Sequence, residues 1–169
     1  LKIPVSIVDD DRFFCNINEF QKWAAGKKEL KMESFYQMMR KKYNILIDEN
    51  GKPQGGKWNY DIKNRKRLPK NYPSIPKPLE HKPDNITKQV IEDVKVKFPK
   101  HFGNLESFWF GTTHQDAIKS LNEFIENRLE LFGPYEDAMA QNEKFLYHSV
   151  LTINLNIRLL EPKQVIDKV

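Results

Sequence analysis

Proline decides more about this chain than any other residue type. Seven of its ten prolines, Pro53, Pro69, Pro73, Pro76, Pro78, Pro83 and Pro99, fall between residues 51 and 100. Proline has no N–H to donate and its ring fixes φ, so it interrupts helices and is kept out of the middle of sheets. The centre of this 169-residue chain therefore cannot be one regular element, and Pro73, Pro76, Pro78 and Pro83 favour extended backbone. The same stretch is basic. Lys52, Lys57, Lys63, Arg65, Lys66, Arg67 and Lys70 face a single acid, Asp61. It reads as a long linker crossing a surface, interrupted by a short helix over about Thr87 to Phe98 through Val90, Ile91 and Val94.

On the N-terminal side, Ile3, Val5 and Ile7 alternate with Pro4, Ser6 and Val8, a strand signal, and Asp9, Asp10 and Asp11 follow as a turn. Asn16 with Glu19 three residues later marks a helix start. Ile17, Phe20, Trp23 and Ala24 share a face before Gly26 stops that helix. Met32, Phe35, Tyr36, Met39 and Tyr43 repeat at helical spacing, with Arg40, Lys41 and Lys42 suited to a helix C-terminus. A strand followed by helices is how the end of an α/β domain reads. On the C-terminal side the chain reads as helical. Thr113 with Asp116 resembles a capping box. Ile118, Leu121, Ile125, Leu129 and Phe132 form one stripe that Gly133-Pro134 ends. Another apolar stretch runs from Phe145 to Leu160, and Pro162 suits the first position of a last helix with Val165, Ile166 and Val169. That helix carries no stop signal and the chain does not open on Met, so both ends are expected to be cut. There is no internal repeat.

Composition narrows the chemistry. No run of about 18 apolar residues exists to span a membrane, and Leu1 to Val8 lack the charged-then-apolar order of a secretory signal. The lone Cys15 can form neither an internal disulfide nor a cysteine-based metal site, and is expected to be a buried small residue beside Phe13 and Phe14. A reducing, cytoplasmic compartment is the simplest reading. The net charge of +5 permits nucleic-acid binding without demanding it. His81, His101, His114 and His148 show no metal-ligand spacing, and no Gly-rich phosphate loop or Gly-x-Ser-x-Gly is present. No metal ligand is expected, and pairs such as Asp10-Asp11 and Glu136-Asp137 read as surface acids.

Two segments stand out. Gly55-Gly56-Lys57-Trp58-Asn59-Tyr60-Asp61 spends a Trp and a Tyr in a glycine-rich loop. Either Trp58 and Tyr60 pin the loop to a domain surface, or the strip contacts DNA, with basic groups on phosphates and an aromatic on a base. The second is His148-Ser149-Val150-Leu151-Thr152, preceded by Tyr135. Its hydroxyls and imidazole could donate to a phosphate, or simply cap a helix.

Together these segments resemble signatures of the bacterial photolyase-related proteins, the branch of the cryptochrome/photolyase family that often carries an iron–sulfur cluster. Gly55 to Asp61 followed by Asn64-Arg65-Lys66 and Leu68-Pro69 is similar to the branch hallmark, and Phe35-Tyr36 with Met39-Arg40 to the helix before it. Phe132-Gly133-Pro134-Tyr135-Glu136-Asp137-Ala138-Met139 resembles the next signature. His148 to Thr152, with Leu155-Asn156, Leu159-Leu160 and Pro162, resembles the one after. Order and spacing match over nearly the whole chain.

The resemblance implies a mainly α fold with a short α/β remnant. Residues 1–48 would be the C-terminal part of a Rossmann-like antenna domain, 49–111 a basic interdomain linker, and 112–169 the first helices of a helical FAD domain. It implies flavin-dependent, light-driven repair of UV-damaged DNA, (6-4) photoproducts first, by a longer monomeric protein. That protein would hold FAD and could add a ribityllumazine-type antenna pigment and a 4Fe-4S cluster. The FAD contacts carried over are Tyr135 and His148, Ser149, Val150, Leu151 and Thr152, with His148 and Thr152 standing where the family has Thr and Ser. Lys57, Trp58, Arg65, Lys66 and Arg67 are the candidate DNA contacts. No catalytic residue falls in this stretch, which alone is expected to be inactive and to bind FAD weakly. The family usually has Gly where this chain has Arg158, a departure that puts close packing near the flavin site in question. A cryptochrome-like blue-light sensor shares every one of these motifs, and a flavin-free basic DNA-binding module remains the alternative from another class.

Overall fold

A computed structural model describes residues 3–10, 12–72 and 74–169. The expected turn at Asp9–Asp11 thus falls partly, and the extended backbone at Pro73 wholly, outside the described residues. The chain is mainly helical and divides into two compact units, Leu1–Ile62 and Lys63–Val169.

In the first unit, helix α1 (Ile17–Ala24) starts where Asn16 accepts the Glu19 N–H at 2.9 Å. Gly26, at φ +72°, follows it. Helix α2 (Met32–Tyr43) ends at Asn44 in the left-handed region. The apolar faces of both helices meet through Phe20, Trp23 and Phe35, with ring centroids 4.9 to 5.7 Å apart. Short 3-10 turns occupy Gln54–Gly56 and Asp61–Lys63, and one antiparallel bridge joins Ile47 to Pro53. The strand expected over Ile3 to Val8 is not formed. These residues are irregular, with Ile7 98% exposed. Alternating apolar residues make a strand only where a neighbour takes up the backbone hydrogen bonds, and no described residue does so here. Cys15 is half-buried rather than buried.

The second unit begins with irregular chain and then helix α3 (Asn85–Lys97), whose cap Asp84 accepts the Thr87 N–H at 2.7 Å. Helix α4 (His114–Asn127) starts at Thr113, whose Oγ accepts the Asp116 N–H and donates to its carboxylate. Ala117, Leu121 and Phe124 recur on one face of α4 and are buried with Leu151 and Leu160 in the main core. The stripe expected to run unbroken to Phe132 is divided: α4 stops at Arg128, and helix α5 (Leu129–Phe132) restarts. A second core joins Ile75 to Leu146 and Tyr147, which anchors the proline-rich segment onto the helices. Lys66 N–H to the Pro134 carbonyl and Asp137 N–H to the Asn64 carbonyl tie it further, at 3.1 and 3.3 Å.

The apolar stretch from Phe145 to Leu160 is mostly loop. It holds only helix α6 (Thr152–Asn156), because Leu146 and Val150 both take positive φ, +46° and +56°, which helical backbone excludes. Helix α7 (Pro162–Lys168) begins with proline at its first position and a capping box between Glu161 and Gln164. No described helix is long and apolar enough to cross a membrane.

Candidate functional site

The loop from Leu146 to Thr152 is held from both ends. Leu146 and Tyr147 are buried in the second core and Leu151, 3% exposed, in the main one. Between these anchors the backbone has little choice. Val150 takes φ +56°, a conformation that costs a β-branched residue about 1–2 kcal/mol and persists only where the surroundings impose it. A left-handed φ followed by right-handed Leu151 gathers successive N–H groups toward a concavity that suits an anion.

Of the residues singled out from sequence, His148 and Thr152 are exposed, Ser149 and Val150 half-buried and Leu151 buried. Ser149 Oγ approaches the Leu151 N–H at 3.5 Å, and the His148 ring meets Phe132 edge-on. Tyr135 lies against Tyr147, with centroids 5.7 Å apart. Burial holds the Tyr147 phenol above its ordinary pKa, with Tyr135 adding to the effect. Tyr135 is thus joined to the loop by ring packing, and Ser149 and Val150 line a small cavity of mixed polar and apolar character with Trp109, Phe110, Glu123, Arg128 and Asn154. A diphosphate needs N–H and O–H donors near the surface, and the exposed imidazole, two hydroxyls and turned backbone match that need.

Three further residues belong to this site. Arg128 is 2% exposed. It pairs with Glu123, donates to the His148 carbonyl and covers the Phe124 ring. The Asn154 carbonyl accepts N–H groups from Leu159 and Leu160, at 2.8 and 3.1 Å. The signal for Arg128 was available in the sequence. It lies seven residues after Leu121, on the apolar stripe itself, where a charge is not expected unless it is paired.

His81, Ser120 and Asp116 also converge. His81 Nε2 is 2.8 Å from Ser120 Oγ, and Nδ1 is 3.5 Å from the Asp116 carboxylate. The order is that of a hydrolytic triad, yet the adjoining cavity is about 10 Å³, no larger than one water, and cannot admit an acyl substrate. These groups satisfy one another and fasten the proline-rich segment to α4. The Thr113 hydroxyl, then His81 and Lys119, hold the Asp116 carboxyl below its ordinary pKa. Among the described residues no three His, Cys, Asp or Glu side chains are placed to hold a metal.

The glycine-rich loop of the first unit is closed on itself. Tyr60 donates to the Gly55 carbonyl at 2.7 Å, and Gly55 sits at φ +76°, where an added Cβ would collide with the Tyr60 hydroxyl. Trp58 is half-buried, its ring 5.3 Å from the Arg40 guanidinium and 5.2 Å from the Lys41 ammonium. Arg40 in turn is 7% exposed and donates to the Ile45 and Leu46 carbonyls at 3.0 and 2.6 Å. Trp58 therefore pins the loop to α2. Lys57 is exposed. In the second unit Arg65, Lys66 and Arg67 are exposed, with Arg65 3.3 Å from Asp137.

Comparison with known proteins identifies the family. The family described as deoxyribodipyrimidine photo-lyase-related protein matches residues 1–110. A (6-4) photolyase of Agrobacterium fabrum is 43% identical over 169 residues, covering 96% of this chain and 32% of that protein. An uncharacterised protein of Acanthamoeba polyphaga mimivirus is 50% identical over 48 residues, 28% of this chain and 24% of its own. The chain spans about a third of the length of the Agrobacterium relative. Its glycine-rich loop lies inside the family match, its strained loop inside the longer alignment, and the chain belongs to the deoxyribodipyrimidine photo-lyase-related protein family.

Proposed function

We propose that this chain is part of a longer, monomeric, cytoplasmic DNA photolyase that repairs (6-4) pyrimidine photoproducts, and that its own share of the work is positioning. The observation that carries the reading is the 43% identity to a (6-4) photolyase along 96% of the chain. In this reading residues 1–48 close an antenna domain, 49–111 form the interdomain linker and 112–169 open the FAD domain. Tyr135 and His148 to Thr152 border the flavin. Ser149 and Thr152 hydroxyls and the His148 imidazole hold its diphosphate, while Leu151 fixes the loop and Val150 shapes it. When bound, reduced FAD supplies the excited-state electron for the lesion, which is flipped out of the duplex. Lys57, Arg65, Lys66 and Arg67 supply phosphate-neutralising charge, and Trp58 keeps Lys57 in place. The parent could add a ribityllumazine-type antenna pigment and a 4Fe-4S cluster, whose cysteines would lie outside this chain.

Two measurements on the full-length protein test this. Its absorption should show oxidised flavin bands near roughly 370 and 450 nm, and blue light should restore (6-4)-damaged DNA. Persistence of the lesion with flavin bound would favour a light sensor. Absence of the bands after flavin addition would leave a flavin-free DNA-binding module.

A further inference from the structure

We infer that Arg128 is the positioning residue of the phosphate loop, acting through the His148 carbonyl and not on the ligand itself. The inference rests on the reading of residues 148–152 as a diphosphate site. Arg128 ends α4, and its guanidinium joins two partners, the Glu123 carboxylate on α4 itself and the His148 carbonyl in the loop. Both charges of the pair are withdrawn from water, with side-chain exposures of 1% and 16%. A core that needed only to be filled would place an apolar residue here, since a buried pair is weak evidence for stability. What the pair accomplishes is directional. It fixes the carbonyl two residues before Val150, while burial of Leu151 fixes the residue after it. The positive φ at Val150 is trapped between those points. The same guanidinium lines the cavity beneath Ser149, Val150 and Asn154, and its Nε has no partner among the described residues. One water fits that cavity of about 10 Å³. The clamp therefore sits directly behind the donors and is closed to a ligand.

The test compares Arg128→Gln with the parent in two ways. Hydrogen exchange of amides 148–152 in this chain needs no flavin. It should quicken about tenfold in the variant while amides 117–124 of α4 stay unchanged. Unchanged exchange in the loop, or a parallel rise along α4, overturns the inference. In the full-length protein, FAD affinity should fall about tenfold while riboflavin, which lacks the diphosphate, changes less than about twofold. Equal losses for the two ligands overturn it as well. If the parent itself does not prefer FAD to riboflavin, the phosphate reading fails, and the exchange measurement still decides whether Arg128 holds the loop. If Arg128→Gln does not fold, Glu123→Gln replaces it. That variant should give the same local effect at about threefold, and no local effect overturns the proposal.

Discussion

Arg158 illustrates how a single backbone angle explains a departure in sequence. It lies at φ +62°, just past the end of α6. The Arg158 N–H reaches the Leu155 carbonyl at 3.2 Å, and the Leu159 N–H reaches the Asn154 carbonyl at 2.8 Å. This crossed pair of bonds closes a helix at a left-handed residue, and glycine is preferred there because it lacks a Cβ. A glycine at this point would meet a demand of the backbone. The Arg158 side chain retains interactions, an exposed 4.0 Å approach to Glu161 among them, and such surface pairs contribute little. Arg158→Gly should therefore stabilise the chain by about 0.5–1 kcal/mol, read from the midpoint of urea unfolding. A less stable variant would refute this account. Sequence alone left the conformation hidden, because Arg carries no preference for positive φ. Arg128 is the opposite case: its charge and its place on an apolar stripe are plain in the sequence, but its partner, the His148 carbonyl, lies twenty residues away.

At the scale of elements, the caps were the most legible feature. Asn16, Thr113 and Pro162 each start the helix that local chemistry assigns to them. Asp84, which no spacing rule singled out, caps α3, and the Thr87 backbone N–H, then its hydroxyl, holds the Asp84 carboxyl below its ordinary 3.8. A depressed carboxyl contributes stability that is complete above the unfolded pKa and is lost as pH falls through the lower, folded one. The protection factors of the α3 amides, taken against the intrinsic exchange rate at each pH, should thus be full at pH 6 and fall below about pH 3.8. Asp84→Asn, which caps without titrating, should remove that acid dependence. Protection at α3 that is lost equally in both proteins would count against it. What local chemistry could not reveal was the break at Arg128 and the loop over 145–151. Both arise from contacts distant in sequence, Arg128 with His148 and Leu151 with Ala117 and Leu121. The strand expected near Ile3 fails for the same reason: alternation describes a face, and the partner that makes it a strand must come from elsewhere.

For the whole molecule, the two units differ in what they bury. Both hydrophobic cores lie in Lys63–Val169. In Leu1–Ile62 the described buried residues are Arg40 and Pro53, while Ile3, Val5, Ile7, Ile17 and Met32 are each more than 70% exposed. Burial of apolar surface supplies most of the drive to fold, so the second unit should resist unfolding and the first should open readily. Limited trypsin digestion of the chain is expected to cut first before residue 63 and to leave a resistant product starting near Lys63 or Arg65. A resistant product from the first unit would contradict that ordering. The same contrast bears on flavin binding. A cavity able to enclose FAD needs several elements converging around it, whereas in the proposed reading the loop from His148 to Thr152 would meet the phosphates from one side only. Titrated with FAD, the 169-residue chain should bind more weakly than about 1 mM, and the full-length protein at or below about 1 μM. Micromolar binding by the chain alone would show that the phosphate loop, clamped by Arg128, is sufficient by itself. Weak binding by both would remove the flavin from the account and favour the alternative reading, a flavin-free basic DNA-binding module.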